Sequence, residues 1–171
     1  MKKLKRHGDF MKKFFNSRML AQAAIIAAIY CVLTSVLPML SSGLVQIRFA
    51  EMLTILPCYT VAAIPGLFVG CALANLIGLA LGATGLIDVF IGSAATLIAA
   101  ILTYKLREKR LIALIPPVVV NALLVGLELT IMLDMPFYIT APCVAAGEFV
   151  ACYVLGYTIS LVVDKYMKKV F

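Results

Sequence analysis

The sequence predicts an all-α membrane protein, a bundle of six transmembrane helices with both termini in the cytoplasm. Of its 171 residues, 64% are apolar and 13% are charged, whereas a soluble domain is about half apolar and a quarter charged. The apolar residues fall in long runs that suit helices of about 20 residues crossing a hydrocarbon core of about 30 Å. Six such spans leave too little chain for a separate catalytic or nucleotide-binding domain.

The basic residues predict the orientation of the spans. Fourteen of the 15 Lys and Arg residues lie in three clusters, at residues 2–18, 105–110 and 165–169. Basic residues mark the cytoplasmic ends of spans, so an even number of spans must separate neighbouring clusters. The intervals of 86 and 54 residues have room for four spans and two. We therefore expect a cell-membrane protein with a basic N-terminal tail (1–18), a membrane domain (19–165) and a C-terminal tail (166–171).

The first three spans are separated by turn-forming residues. Span 1 covers about 19–40 and is too long for a cleaved signal peptide. Span 2 covers about 45–59 and is the shortest apolar run. Span 3 begins after the Pro65-Gly66 break and ends near Gly82, where several glycines indicate a turn at the outer face.

The last three spans follow the same pattern. Span 4 covers 88–104 and leads into the second basic cluster. Span 5 covers about 110–132 and carries Pro116-Pro117 in its first turns. Span 6 covers about 142–163 and ends at the third basic cluster.

Five charged residues lie inside these apolar runs or at their edges. They are Arg48, Glu51, Asp88, Glu128 and Glu148. Near the bilayer centre each charge costs about 2.5–3.5 kcal/mol, so such residues normally face the interior of a bundle. A rise of 1.5 Å per residue places Glu128 and Glu148 roughly 25–27 Å above the inner face. The other three begin spans at their outer ends, so all five are predicted to converge in the outer half of the membrane.

Two amides extend this predicted pocket inward. Asn75 and Asn121 lie roughly 14–17 Å from the inner face by the same rise. One cation and four acids give the pocket a formal charge of −3, which suits a ligand with several N–H donors or a positive charge.

Structural explanations for the same charges remain open from the sequence. Arg48 and Glu51 are spaced to neutralise each other on one helix, and Asp88 is placed to cap span 4. Glu128 and Glu148 lie near helix ends, where water can solvate them. The joint convergence of all five charges favours the pocket.

Span 1 carries small residues at helical spacing. Ala23/Ala27 and Ala24/Ala28 both have the small-xxx-small pattern, which lets membrane helices approach closely. The pattern predicts either packing inside the bundle or a docking face for another membrane protein.

No catalytic residue, metal site or cofactor is predicted. The only histidine, His7, lies in the basic tail, and the five cysteines form no CxxC pair. The chain also lacks a GxxxxGK[ST] phosphate loop, so it is not expected to hydrolyse ATP by that route. Uphill transport would need an ion gradient or an energised partner.

Several segments of the chain combine polar and apolar positions in a specific pattern. They are QIRFAEMLTILP at 46–57, AIPGLFVGC at 63–71, AN at 74–75, DVFIGSAATL at 88–97, PVVVNA at 117–122, GLEL at 126–129 and GE at 147–148. Together these segments resemble the QueT family, the substrate-binding S components of energy-coupling factor (ECF) transporters. Ala50 stands where the family pattern has a serine, and it is also small. The resemblance extends over roughly residues 20 to 165.

The resemblance implies a six-helix S component that works with a transmembrane coupling protein and two cytoplasmic ATPases. It implies docking through the alanines of the first helix and a queuosine precursor, a 7-deazaguanine base or queuine, as substrate. Glu51, Glu128 or Glu148 would accept two adjacent N–H donors of the base, and another acid would hold an aminomethyl cation. Arg48 would orient the ligand, and the two asparagines would contact its remaining edge.

Two other functions remain open at this stage. One is an S component for another vitamin-like heterocycle. The other is a gradient-driven transporter in which Glu128 and Glu148 relay protons. A membrane-bound enzyme is the least favoured class, because no nucleophile–base pair is evident.

Overall fold

The computed structural model describes residues 17–36 and 48–170, and within these ranges all regular structure is helical. Most of the basic tail and the end of span 1 lie outside the described residues. The elements are α1 (Ser17–Val36), a 3-10 helix (Phe49–Cys58), α2 (Ala63–Ala80), α3 (Leu86–Lys105), α4 (Arg110–Ala113), α5 (Ile115–Leu133), α6 (Phe137–Phe149), a π-helical segment (Val150–Gly156) and α7 (Tyr157–Val170).

Five helical stretches in the described part of the chain are long and apolar enough to cross a membrane. They are Ser17–Val36, Ala63–Ala80, Leu86–Lys105, Arg110–Leu133 and Phe137–Tyr166. These stretches correspond to spans 1, 3, 4, 5 and 6 of the sequence prediction.

Two predicted boundaries at prolines are wrong. α2 begins at Ala63 and contains Pro65 in its first turn, where the missing N–H of proline breaks no helical hydrogen bond. The last span begins at Phe137 and contains Pro142, because membrane helices tolerate an internal proline better than soluble helices do.

The predicted second span corresponds to a 3-10 helix of 10 residues, Phe49–Cys58. A 3-10 helix rises about 2 Å per residue, so this one measures roughly 20 Å, less than the hydrocarbon thickness. Ala50, Glu51 and Ile55 are fully buried in it. The segment therefore lies inside the bundle; it carries the predicted site residue Glu51, and Arg48 is its N-cap.

α1 and α2 approach closely at two glycines of α2. A Cβ atom on Gly66 would lie 2.9 Å from the carbonyl oxygen of Ala23, and one on Gly70 would lie 2.8 Å from the Cβ of Tyr30. Only glycine allows this separation, which brings the Tyr30 side chain into the core.

We expect Gly70→Val to lower the free energy of unfolding by about 1–3 kcal/mol, because the added side chain overpacks the contact with α1. Thermal unfolding in detergent measures this loss. Ala80→Val adds apolar atoms at an exposed position of the same helix and is the matched control. Equal melting temperatures for the two variants would contradict the close approach.

α5 and α6 form a helical hairpin that orients two of the predicted acids. Asp134 ends α5 in the left-handed conformation, with φ of 51°. A Cβ on Gly126 would lie 2.9 Å from the Cα of Ala141, and the Thr140 hydroxyl donates to the Gly126 carbonyl at 2.8 Å. This contact fixes Glu128 of α5 relative to Glu148 of α6.

The 3-10 helix packs against the π-helical segment. A Cβ on Gly156 would lie 3.1 Å from the Met52 carbonyl oxygen, and Cys152 contacts the Thr54 hydroxyl at 3.5 Å. Both helix types are rare at this length, and π-helical turns occur often at functional sites.

The far end of the 3-10 helix is tied to the basic end of the bundle. The Tyr59 hydroxyl donates to Asp164 at 3.1 Å, Asp164 is ion-paired with Arg110, and the Arg110 guanidinium lies 5.2 Å from the centre of the Tyr59 ring. The segment therefore runs from Glu51 toward the end of the bundle that carries Arg110.

Candidate functional site

The structure brings the seven predicted pocket residues into the interior of the bundle. In the described residues, the buried charged side chains are the five singled out from the sequence, with exposed fractions between 0% and 7%. Asn75 and Asn121 are each 2% exposed. Arg48 is the N-cap of the 3-10 helix, and the other six residues are contributed by the 3-10 helix, α2, α3, α5 and α6.

Arg48 is the cation of this cluster. Its Nη2 lies 4.0 Å from Oδ1 of Asp88, and the guanidinium also interacts electrostatically with Glu51, Glu148 and Glu128. The ion pair of Arg48 is therefore with Asp88 on another helix, and Glu51 is one of several acids that balance its charge.

Asp88 combines a structural contact with its place in the cluster. Its Oδ2 accepts a hydrogen bond from the Gly85 N–H at 2.6 Å. The N-cap of α3 is Gly85 and Asp88 is the third residue of the helix, so the prediction that Asp88 is the N-cap is wrong, although its side chain does help to cap the helix. The Asp88 carbonyl accepts a hydrogen bond from Nδ2 of Asn75 at 2.8 Å. A Cβ on Gly92 would lie 2.8 Å from the same nitrogen and 3.5 Å from Nη1 of Arg48, so glycine leaves room for both side chains.

Glu51 is held by the first helix. Its Oε1 accepts a short hydrogen bond from the hydroxyl of Tyr30, which is 1% exposed. The Thr54 hydroxyl donates to the Glu51 carbonyl at 2.6 Å. One carboxylate oxygen of Glu51 is thus occupied by the protein, while Oε2 has no hydrogen-bond partner in the described structure.

Glu148 lies beside Glu51, and Asn121 lies near both carboxylates. The Cys152 thiol contacts Oε2 of Glu148 at 3.7 Å and the Glu51 carbonyl oxygen at 3.7 Å. Although the Asn121 side chain lies near these carboxylates, its Nδ2 makes no hydrogen bond of normal geometry among the described residues. Its N–H donors are therefore available.

Four buried polar atoms of the cluster lack a hydrogen-bond partner among the described residues. They are Oε2 of Glu51, Nδ2 of Asn121, and Oε1 and Oε2 of Glu128. An unsatisfied buried polar group costs about 1–3 kcal/mol, and more when it is charged. A ligand that satisfies these atoms must therefore donate hydrogen bonds to three carboxylate oxygens and accept one from the Asn121 amide.

A small cavity adjoins the cluster. It measures about 30 Å³ and is lined by Thr34, Ser35, Arg48, Asn75 and Thr84, among others. A cavity of this size has room for no more than a few water molecules.

Tyr30, Gly92 and Cys152 belong to the cluster but were missed in the sequence analysis. Each lies in an apolar run, where a tyrosine, glycine or cysteine has no unusual cost and gives no signal. The spacing of Tyr30 from the Ala23/Ala27 pair, seven and three residues, does place it on the same face of α1.

The two alanine pairs of α1 face different environments. Ala23 and Ala27 are buried against α2, whereas Ala24 and Ala28 are exposed. Internal packing thus accounts for the first pair, and any docking face on α1 is left to the second.

No group of three or more His, Cys, Asp or Glu side chains is arranged to hold a metal ion in ranges 17–36 and 48–170. The acids of the cluster therefore face Arg48, Asn121 and one another without a metal-ligand geometry.

Comparison with known protein families identifies a match that spans most of the chain. The family model described as QueT transporter matches residues 20–165. Curated proteins and solved structures gave no match. The matched range includes all seven cluster residues and nearly all of the five stretches that are long and apolar enough to cross a membrane, and the chain belongs to the QueT transporter family.

Proposed function

We propose that this protein is the S component of an ATP-driven ECF importer and captures a queuosine precursor, a 7-deazaguanine base or queuine, from outside the cell. A transmembrane coupling protein and two cytoplasmic ATPases would supply the energy. The observation that carries the proposal is the set of unpartnered atoms of Glu51, Asn121 and Glu128 in a buried, acidic cluster.

A 7-deazaguanine base matches those atoms chemically. Its guanine-like edge offers two adjacent N–H donors beside a carbonyl oxygen, and its pyrrole ring offers another N–H. Carboxylates accept such donors, and an asparagine amide donates to a carbonyl. Hydrogen bonds to a charged carboxylate are stronger than neutral ones, and burial strengthens them further.

The position of the cluster supports capture from outside. Asp88 lies in the first turn of α3, whose last residue is Lys105, and Glu128 lies in the second half of α5, which follows Arg110. The cluster is thus at the end of the bundle away from Lys105 and Arg110. Because the basic ends of spans are cytoplasmic, the cluster would face the outside of a prokaryotic cell, and both termini would lie in the cytoplasm.

We expect Glu51→Gln and Glu128→Gln each to weaken binding of the precursor about 10- to 100-fold, because each variant replaces an acceptor oxygen of a charged hydrogen bond with an amide nitrogen. Glu148→Gln should also weaken binding, since it lowers the negative charge of the cluster. Equilibrium binding to the purified protein in detergent measures the effect.

Asp134→Asn is the matched control for these variants. Asp134 is an exposed acid at the end of α5, and asparagine tolerates its left-handed backbone conformation. Unchanged affinity in all three glutamine variants would rule out the cluster as the binding site.

A further inference from the structure

We infer that the acids of the cluster read different parts of the ligand: Glu128 accepts two adjacent N–H donors, whereas Glu51 accepts one, because Tyr30 occupies its other oxygen. This inference rests on the proposed function and deepens it. It says which of the three glutamates binds the two adjacent N–H donors of the guanine-like edge, a choice that the chemistry of a carboxylate does not decide.

Glu51 has one oxygen available. The Tyr30 hydroxyl donates to Oε1 of Glu51, and both side chains are almost fully buried. Oε2 has no protein partner within the described part of the chain. A carboxylate fixed in this way presents a single acceptor in a defined direction, and Tyr30 acts as a positioning residue.

Glu128 has both oxygens available. It is 1% exposed, and neither oxygen has a hydrogen-bond partner among the described residues. The Asp88 carboxyl group lies within hydrogen-bonding range of Glu128, but it offers Glu128 no N–H donor, since it already accepts the Gly85 N–H and faces Arg48. Two parallel acceptors on one carboxylate match two parallel N–H donors, as in bidentate pairs with arginine.

Glu148 and Asn121 complete the donor and acceptor pattern. Oε2 of Glu148 is in contact with the Cys152 thiol, so this carboxylate is partly engaged by the protein. Nδ2 of Asn121 is an open donor and suits the carbonyl oxygen next to the two N–H donors of the base. The pattern selects a guanine-like edge over one that lacks the exocyclic amino group.

The test compares two bases, 7-deazaguanine and 7-deazahypoxanthine, which differ by that amino group. We expect the wild-type protein to bind 7-deazaguanine about 10- to 100-fold more tightly, the effect of one hydrogen bond to a charged group. In Glu128→Gln this ratio should fall to near one, while in Glu51→Gln both affinities should fall and the ratio should persist. If Glu128→Gln does not fold, Glu128→Asp, which withdraws the carboxylate by one methylene, should show the same fall.

The positioning role of Tyr30 is tested by a separate set of binding measurements. Tyr30→Phe should weaken both bases several-fold, and it should add no further loss in a Glu51→Gln background, because the two residues act through one hydrogen bond. Tyr153→Phe is the matched control, since that hydroxyl donates to the Leu111 carbonyl at 2.8 Å near the surface.

The outcomes separate this inference from the proposed function. A ratio that collapses in Glu51→Gln and persists in Glu128→Gln would overturn the assignment while leaving the pocket intact. Additive losses for Tyr30→Phe and Glu51→Gln would overturn the positioning role. Failure of the folded wild-type protein to bind either base while it binds queuine would overturn the assignment alone. Failure to bind queuine as well would overturn the proposed function, and the assignment with it.

Discussion

Arg48→Gln is expected to lower the free energy of unfolding by about 3–5 kcal/mol, the cost of removing one partner from a buried set of charges. Arg48 is 7% exposed and pairs with Asp88, and the cluster holds three more buried acids. Without the guanidinium these acids have no buried cation among the described residues. Thermal or denaturant unfolding in detergent measures the loss.

Two further variants test whether charge is the cause. Arg48→Gln combined with Asp88→Asn should recover part of the lost stability, because the uncompensated charge falls by one. Arg107→Gln removes a cation whose guanidinium lies over the Tyr104 ring at 4.2 Å, outside the cluster, and should change stability by less than about 0.5 kcal/mol. Full stability of Arg48→Gln would contradict the electrostatic account of the cluster.

Ala28→Leu is expected to reduce uptake to background while ligand binding stays unchanged. Ala28 is exposed on α1, one turn after the exposed Ala24, and small residues let membrane helices come into close contact. A leucine at this position would hold a partner helix away from α1 but would touch nothing in the pocket. Uptake by cells that express the chain with the coupling protein and ATPases measures the effect.

The control and the alternative function are tested in the same assay. Ile29→Phe enlarges an exposed side chain of α1, 46% exposed, that lies about 100° around the helix from Ala28, and it should leave uptake unchanged. Uptake by the chain alone that disappears when the proton gradient is collapsed would contradict an ATP-driven partner. It would favour the gradient-driven transporter instead.

The burial of the five charged residues was predictable from the sequence because buried charge is costly. A charged residue such as Glu128 or Arg48 in an apolar run must face the bundle interior or a wet cavity, so its presence reports its location. The presence of Tyr30 does not indicate its location, since a tyrosine in a span also occurs commonly near the lipid headgroups. Its hydrogen bond to Glu51 depends on the close approach of α1 at Gly70, which only the three-dimensional structure reveals.

The fold was predictable where apolar runs are long. The five long stretches were identified, while the segment at 49–58 was expected to form a span although it is a 3-10 helix inside the bundle. Hydropathy does not distinguish a short span from a buried segment, because both are apolar. The different environments of the two alanine pairs, in contrast, follow from helix geometry. Neighbouring helical residues lie about 100° apart, so Ala23/Ala27 and Ala24/Ala28 face different directions.

Binding of deazaguanines and queuine to the purified protein is the most direct test that the buried cluster captures a queuosine precursor. We expect saturable binding of at least one member of this panel, weakened about 10- to 100-fold in Glu128→Gln and unchanged in Asp134→Asn. Absence of binding across the whole panel by folded wild-type protein, or equal binding by wild type and Glu128→Gln, would contradict the account.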